Sequence, residues 1–472
     1  MRLVFLLTLF IISGLFSAKA QLKDRLEGDW HGKINAGIEL RLVFHISKDS
    51  TGTFTTTFDS PDQSAFGIPT NKTTVGGDSV FIEMKNIGAS FAGRLKSDSI
   101  LTGTFTQKIK FPLQLKKGEG IENKKPQTPQ APFPYKSEDV IYKNADKSIQ
   151  FGATITMPNG KGPFPAAILV TGSGAQNRDE EIMGHKIFAV LADHLTRKGF
   201  VVLRVDDRGV GKTTGDFSSA TSMDFANDLD ESIGYLKSRS EVDKNKIGLI
   251  GHSEGGMIAP MVATKRNDID FIVLLAAPGI KIKDLMTEQN AAILLSSGIS
   301  SNATKAYTTF YDKLLTTIIN SPDSVSAKDN TTRLVKEWIQ QTDTTIIKEL
   351  GWADENTRTE IVNSIVSAFA SPWFTYFLKF DPQLYLEKIQ SKVLALNGSK
   401  DLQVNPTSNL AAIKNALAKS KSPLYEVKEM PGLNHLFQTC STCTLNEYGE
   451  LSETFSPMAL NFISDWLIKN VK

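Results

Sequence analysis

The chain has 472 residues, 40% of them hydrophobic and 22% charged, with a formal net charge of +2. Those proportions are globular and exclude a mainly disordered chain, and the length calls for two or three domains. The near-neutral balance leaves no electrostatic footprint for nucleic acid, and two cysteines exclude a disulfide framework or a zinc-ribbon array.

Met1-Arg2 is a short basic start, and Leu3 to Phe16 is an apolar run too short to span a bilayer comfortably. Ala18-Lys19-Ala20 then offers small residues at cleavage spacing. The pattern predicts a signal peptide over residues 1–20, cleaved near Ala20, and a protein exported to the periplasm or outside the cell. No later run reaches ~18 apolar residues, so no membrane span is expected in the mature protein.

Residues 24–118 read as a small all-β domain, a barrel or a sandwich. Leu40, Leu42, Phe44 and Ile46 alternate, as do Val80, Ile82 and Met84, and later Phe111, Leu113 and Leu115. Period-two alternation between turn signals means short antiparallel strands. Thr-Gly-Thr-Phe-Thr occurs at 51–55 and again at 102–106, as hairpins of a meander would allow. Gly28-Asp29-Trp30 resembles the Gly-x-Trp opening of lipocalin-type barrels. Residues 119–136 hold prolines at 126, 129, 132 and 134 and read as an extended, semi-rigid linker.

From residue 137 to 472 strand-like runs alternate with amphipathic segments. Ala166 to Thr171 is a buried strand, and Phe188, Leu191 and Leu195 share a helical face closed by Gly199. Phe200 to Val205 is the next strand, then Phe225, Leu229, Ile233 and Leu236 keep helical spacing. Ile247 to Ile250, Phe271 to Leu275, Lys392 to Leu396 and Tyr425 to Val427 continue the strands, and Ser456-Pro457 starts the last helix. Such alternation predicts a mostly parallel α/β sheet. Residues 279–391 carry no strand signal and hold Trp338, Trp352 and Trp373, which reads as a helical cap inserted between two strands.

Gly251-His252-Ser253-Glu254-Gly255 follows one strand and opens a helix-like run, the strand–turn–helix that a nucleophile elbow requires. Side chains at the two glycines would collide with the neighbouring strand and helix. Serine needs a base to act as a nucleophile. His435 follows the last strand, so its loop opens at the same sheet edge. His31 and His45 belong to the β-domain, His185 and His194 read as helix surface, and the His252 side chain is expected to point away from the serine. Asp401, in the turn after Val393–Leu396, is the carboxylate that would fix the imidazole tautomer. The oxyanion donors are expected to be the backbone N–H groups of Glu254 and of Ser173, in the loop Thr171-Gly-Ser-Gly174. Arg178, Asp179 and Glu180 read as a solvated loop that caps the next helix, the alternative being contact with a polar substrate group. Gly209-Val-Gly-Lys-Thr-Thr214 lacks the first glycine of a phosphate-binding loop, and Cys440-Ser-Thr-Cys443 allows a small local disulfide.

On Gly172–Glu180, Asp206–Gly211, Gly251–Gly256, Asn397–Leu402 and Asn434-His435, residues 137–472 resemble the α/β-hydrolase superfamily. Within it they are most similar to bacterial exported serine esterases and serine-aminopeptidase-like hydrolases. Thr171 departs from relatives that carry His before the oxyanion glycine. The resemblance implies an α/β-hydrolase fold, a Ser253–His435–Asp401 triad, and neither metal nor cofactor. The expected activity is cleavage of a small-molecule carboxylic ester through an acyl-enzyme, with the aromatic cap supplying an apolar acyl pocket. The alternatives are a peptidase or aminopeptidase on the same triad, and a binding protein with an accessory hydrolase domain.

Overall fold

A computed structural model describes residues 25–472 apart from 37, 38, 50, 64, 119–124, 357, 360, 362 and 364–370. The expected signal peptide, residues 1–20, lies outside the described residues. The chain divides into two compact units. One runs to Lys124 and takes in Ile182–Gly184; the other comprises Lys125–Glu181 and His185–Lys472.

The first unit is one antiparallel sheet of nine strands: β1 (Gly28–Asn35), β2 (Glu39–Lys48), β3 (Phe54–Ser60), β4 (Ala65–Pro69), β5 (Lys72–Gly76), β6 (Ser79–Met84), β7 (Ala89–Ser97), β8 (Ile100–Gln107) and β9 (Ile109–Lys117). The spatial order is β4-β3-β2-β1-β9-β8-β7-β6-β5, so consecutive strands pair and β1 joins β9. Thr56 and Thr73 hydroxyls bond at 2.8 Å, which brings β3 to β5 and curls the sheet. The alternating apolar residues point to the inside of that curl, where Trp30, Phe44, Phe91 and Leu115 are fully buried. Phe44 packs on Phe58 and Phe91 at 5.1 and 5.4 Å between ring centroids, so aromatic side chains fill the interior. Trp30 Nε1 donates to the Leu26 carbonyl at 2.8 Å, which satisfies its one polar group. The repeated pentapeptide has two different roles. Gly52 turns the chain with φ +86°, whereas Gly103 lies within β8, where a Cβ would stand 2.2 Å from the Ala92 carbonyl oxygen.

The second unit is built on an eight-stranded mixed sheet. Its elements begin with β10 (Lys136–Lys143), β11 (Gln150–Met157), β12 (Phe164–Val170), α1 (Ile187–Arg197), β13 (Val201–Val205), α2 (Ser222–Ser238), β14 (Val242–His252), α3 (Gly255–Ala263) and β15 (Phe271–Leu275). After an all-helical insert come β16 (Lys392–Gly398) and β17 (Tyr425–Met430). The order is β10-β11-β13-β12-β14-β15-β16-β17. β10, β11 and β13 pair antiparallel; from β13 onward every pairing is parallel. The antiparallel pair β10–β11 was not legible in the sequence, because β10 alternates polar with half-exposed residues at the sheet edge. The chain steps from β12 to β13 on one side and then to β14 on the other. Strand order therefore reverses at β12 and β14, which opens a crevice at their C-terminal ends.

The insert between β15 and β16 contains helices from Ile282 to Leu386 and no strand among the described residues. Most of its aromatic side chains make a core of their own: Phe310 stacks on Trp338 at 4.4 Å, and Trp338 meets Trp352 at 5.4 Å. Trp373 and Phe380 instead pack against the sheet core. No helix among the described residues is long and apolar enough to cross a membrane.

Residues 125–135, within the expected linker, are strapped to the second unit by side chains. Gln127 Nε2 donates to the Phe455 carbonyl at 2.7 Å, and Lys125 Nζ donates to the Gly449 carbonyl at 2.8 Å. Prolines remove backbone donors, so side chains carry the attachment. Ser456 occupies the N-cap position of the last helix, Pro457–Asn470, but its side chain accepts no capping hydrogen bond.

Candidate active site

β14 delivers Ser253 to the crevice. The residue sits at φ +52°, a left-handed conformation that a side chain rarely adopts. Ser253 N–H donates to the Leu275 carbonyl at 2.8 Å, and its own carbonyl accepts from Gly256 N–H at 2.9 Å. These two bonds hold the turn. A Cβ on Gly251 would lie 2.1 Å from the Gly255 oxygen, and one on Gly255 would lie 2.0 Å from the Val170 oxygen. The elbow therefore closes only with glycine at both positions.

His435 and Asp401 come together beside it. His435 Nδ1 lies 2.7 Å from Asp401 Oδ2, and both residues are buried. Asp401 Oδ1 accepts from the N–H groups of Gln403 and Val404 at 2.7 and 2.9 Å, which fixes the carboxylate plane. A carboxylate acceptor at Nδ1 places the ring proton there and leaves the Nε2 lone pair free. The Ser253 hydroxyl makes no hydrogen bond among the described residues, so the serine-to-imidazole link is open. Such links are often long before substrate binds.

The loop after β12 runs over the serine: a Cβ on Gly172 would lie 3.3 Å from Ser253 Cβ. The backbone N–H groups of Ser173 and Glu254 have no acceptor among the described residues. The Glu254 carboxylate is buried and accepts from Ser222 Oγ at 2.6 Å and Trp373 Nε1 at 2.9 Å. Burial pushes its pKa up, only partly offset by those donors and by the Ser173 hydroxyl. Glu254 thus ties the elbow to α2 and to the insert helix Pro372–Leu378.

Several buried charges escaped the sequence reading. Arg178, Asp179 and Glu180 are not a solvated loop. Arg178 pairs with Asp206 at 2.6 Å, Asp179 pairs with Arg204, and Glu180 is 0% exposed. Glu180 Oε1 accepts from Gly172 N–H at 2.6 Å and lies 3.0 Å from His252 Nδ1. Burial pushes the His252 imidazole down, but Glu180, the His435 carbonyl and Asp401 together outweigh it and the net shift is upward. Asp207 accepts from Thr171 Oγ1 and Gln176 N–H, and burial pushes its carboxyl up to about 8. His185 is buried, not on a helix surface, with its ring between Thr454 Oγ1 and the Tyr448 carbonyl, each at 2.9 Å. His194 is half-buried against Ser464. Charged residues look alike in sequence whether solvated or paired, so only their crowding after the oxyanion glycine could have signalled these contacts.

Cys440 and Cys443 form a disulfide. Together with Glu447 they bring three donor atoms within 4.8 Å, but bonded sulfurs offer no thiolate. The Glu447 carboxylate is already engaged with the N–H groups of Ser441, Thr442 and Cys443.

Comparison with known proteins finds similarity to hydrolases over part of the chain. The family described as "Serine aminopeptidase, S33" matches residues 184–356, a stretch that holds Ser253 and ends before Asp401 and His435. Esterase EstD of Thermotoga maritima is 36% identical over 148 residues, 31% of this chain and 35% of the relative. The chain therefore spans about a third of the length of that curated relative. Among solved structures, an esterase of Pyrococcus furiosus aligns at 14% identity and a TM-score of 0.44, covering 74% of this chain and 98% of its own. The ferulic acid complex of Est1E from Butyrivibrio proteoclasticus aligns at 15% identity and a TM-score of 0.40, covering 70% and 99%.

Proposed function

We propose that the chain is an α/β-hydrolase and, within that fold, a serine hydrolase cleaving carboxylic esters. The observation that carries this reading is a strained elbow serine whose chain neighbour His252 lies 3.0 Å from the His435 carbonyl, with His435 Nδ1 held 2.7 Å from a fixed carboxylate. Ser253 Oγ attacks the ester carbonyl carbon while His435 Nε2 takes its proton. Asp401 stabilises the imidazolium that forms. The N–H groups of Ser173 and Glu254, which have no acceptor among the described residues, receive the developing oxyanion. Collapse breaks the bond to the alcohol oxygen, which takes the proton from His435, and leaves an acyl-Ser253. Water then attacks that acyl carbon with His435 as base, and the acid leaves with Ser253 restored.

The insert serves as a cap over this site, linked to it by Trp373. Its remaining tryptophans fill the cap's own core, so the acyl pocket is not the aromatic cluster that composition implied. The leader-like first 20 residues support export to the periplasm or beyond. A second reading, an aminopeptidase on the same triad, is favoured by the description of the matching family.

Hydrolysis of p-nitrophenyl esters from acetate to long acyl chains, beside aminoacyl p-nitroanilides, tests both. Ester turnover that vanishes in Ser253→Ala is the expected result, and the chain-length optimum sizes the pocket. Anilide turnover without ester turnover would establish the peptidase instead. Ester turnover that survives Ser253→Ala would overturn the nucleophile.

A further inference from the structure

His252, the residue before the serine, has two ring nitrogens and both face acceptors. Nε2 lies 3.0 Å from the backbone carbonyl of His435, and Nδ1 lies 3.0 Å from Glu180 Oε1. A carbonyl only accepts, so Nε2 carries a proton. Glu180 Oε1 is already the acceptor for Gly172 N–H at 2.6 Å, which leaves it accepting again from Nδ1–H. Glu180 is 0% exposed and His252 2% exposed, and Glu180 Oε2 is buried without a hydrogen-bond partner among the described residues. A carboxylate so enclosed is stable only when an adjacent cation matches it. Asp401 also faces His252 electrostatically, and the His435 ring lies 4.9 Å away between centroids.

These contacts join three segments that catalysis must hold in register. Gly172 belongs to the oxyanion loop, His252 adjoins the nucleophile, and the His435 carbonyl belongs to the base's own backbone. We propose that Glu180 and His252 form a buried ion pair that positions the oxyanion loop and His435 about Ser253. His252 is a positioning residue held as imidazolium, and it exchanges no proton with substrate. The inference deepens the serine-hydrolase reading, on which its kinetic part rests.

Nuclear magnetic resonance of the full chain with 15N-labelled histidine reads the pair without reference to activity. Both ring nitrogens of His252, assigned by their loss in His252→Gln, are expected to be protonated at neutral pH. Glu180→Gln should leave Nδ1 unprotonated, because the amide can donate to it. In ester assays Glu180→Gln and His252→Ala are expected to lower kcat by as much as about a hundredfold, with KM little changed. His252→Gln should recover part of that loss, since its amide can still donate to the His435 carbonyl. An unprotonated His252 nitrogen in the wild-type chain would overturn the ion pair, and this measurement needs no variant to fold except for assignment. Unchanged kcat in folded Glu180→Gln and His252→Ala would overturn the positioning role. A wild-type chain inactive on every ester would sink the hydrolase reading and leave the ring-nitrogen result intact.

Discussion

Asp401 acts on the proposed chemistry only through His435. Its two oxygens divide the work: Oδ1 is anchored by two backbone N–H groups, and Oδ2 holds Nδ1 at 2.7 Å. Asp401→Asn keeps the shape but presents an amide donor to the ring, which turns the imidazole into the wrong tautomer. Ester kcat is expected to fall by roughly 10³–10⁴ with KM nearly unchanged. A loss below tenfold would show that His435 is oriented by something else. Asp207 makes a different prediction. Its carboxyl stands at about 8 in the fold against 3.8 for an ordinary one, raised first by burial and then by Glu180 and Glu254, against the opposing hydrogen bonds from Thr171 and Gln176. Between those values the folded chain keeps a proton that the unfolded chain has released. Its contribution to stability is complete below the lower value and is lost as pH rises to the upper one. Asp207→Asn mimics the protonated form, since its amide can donate to the Thr171 hydroxyl while its oxygen accepts from Gln176 N–H. Thermal midpoints of the two proteins should diverge in the mutant's favour as pH rises through that window, as the stability difference grows to on the order of a few kcal/mol. Parallel midpoints would mean that Asp207 is ionised in the fold.

Among the fastenings of the loop that carries the base, two lie just past it. One is the Cys440–Cys443 disulfide, and the other is Glu447, whose carboxylate accepts from the N–H groups of Ser441, Thr442 and Cys443. Partial burial would raise the Glu447 pKa, but those N–H groups outweigh it and the net shift is downward. The disulfide spans a sequence separation of only 3, so chain-entropy reasoning limits its contribution to about 2 kcal/mol. Cys440→Ser with Cys443→Ser should therefore lower the thermal midpoint slightly and leave ester turnover in place, with Glu447 holding the loop. Loss of turnover in a folded double variant would make the disulfide part of the active-site frame. The insert teaches the converse lesson about elements. Its aromatic content pointed to a substrate pocket, yet Phe310, Trp338 and Trp352 are spent on packing two helices and the segment after them against one another. A helical segment of this length needs a core before it can line anything.

At the scale of the molecule, Ser253, Asp401, His435, Ser173 and Glu254 all belong to the unit that starts at Lys125. A chain beginning at Lys125 is expected to retain ester turnover and the same chain-length optimum as the full protein. Folded but inactive protein from that start would assign the nine-stranded unit a part in the chemistry. A start at residue 137 should lower the thermal midpoint further, because it discards the anchors of Lys125 and Gln127 on residues 449–455.

Strand and helix periodicity, the two elbow glycines and the turn positions of Asp401 and His435 were legible in sequence, since each follows from spacing along a few consecutive residues. The elbow was the clearest case, because only glycine avoids overlap at 251 and 255. The pairing of β11 with β13, the burial of Glu180 beneath Gly172 and the placement of His252 between Glu180 and His435 came from tertiary structure alone. The His252 contacts join residues 72 and 183 positions apart in the chain, where local pattern carries no information about distance. Sequence by itself determined which groups could do the chemistry; only the fold decided which charges are dry, and therefore which of them hold the others in place.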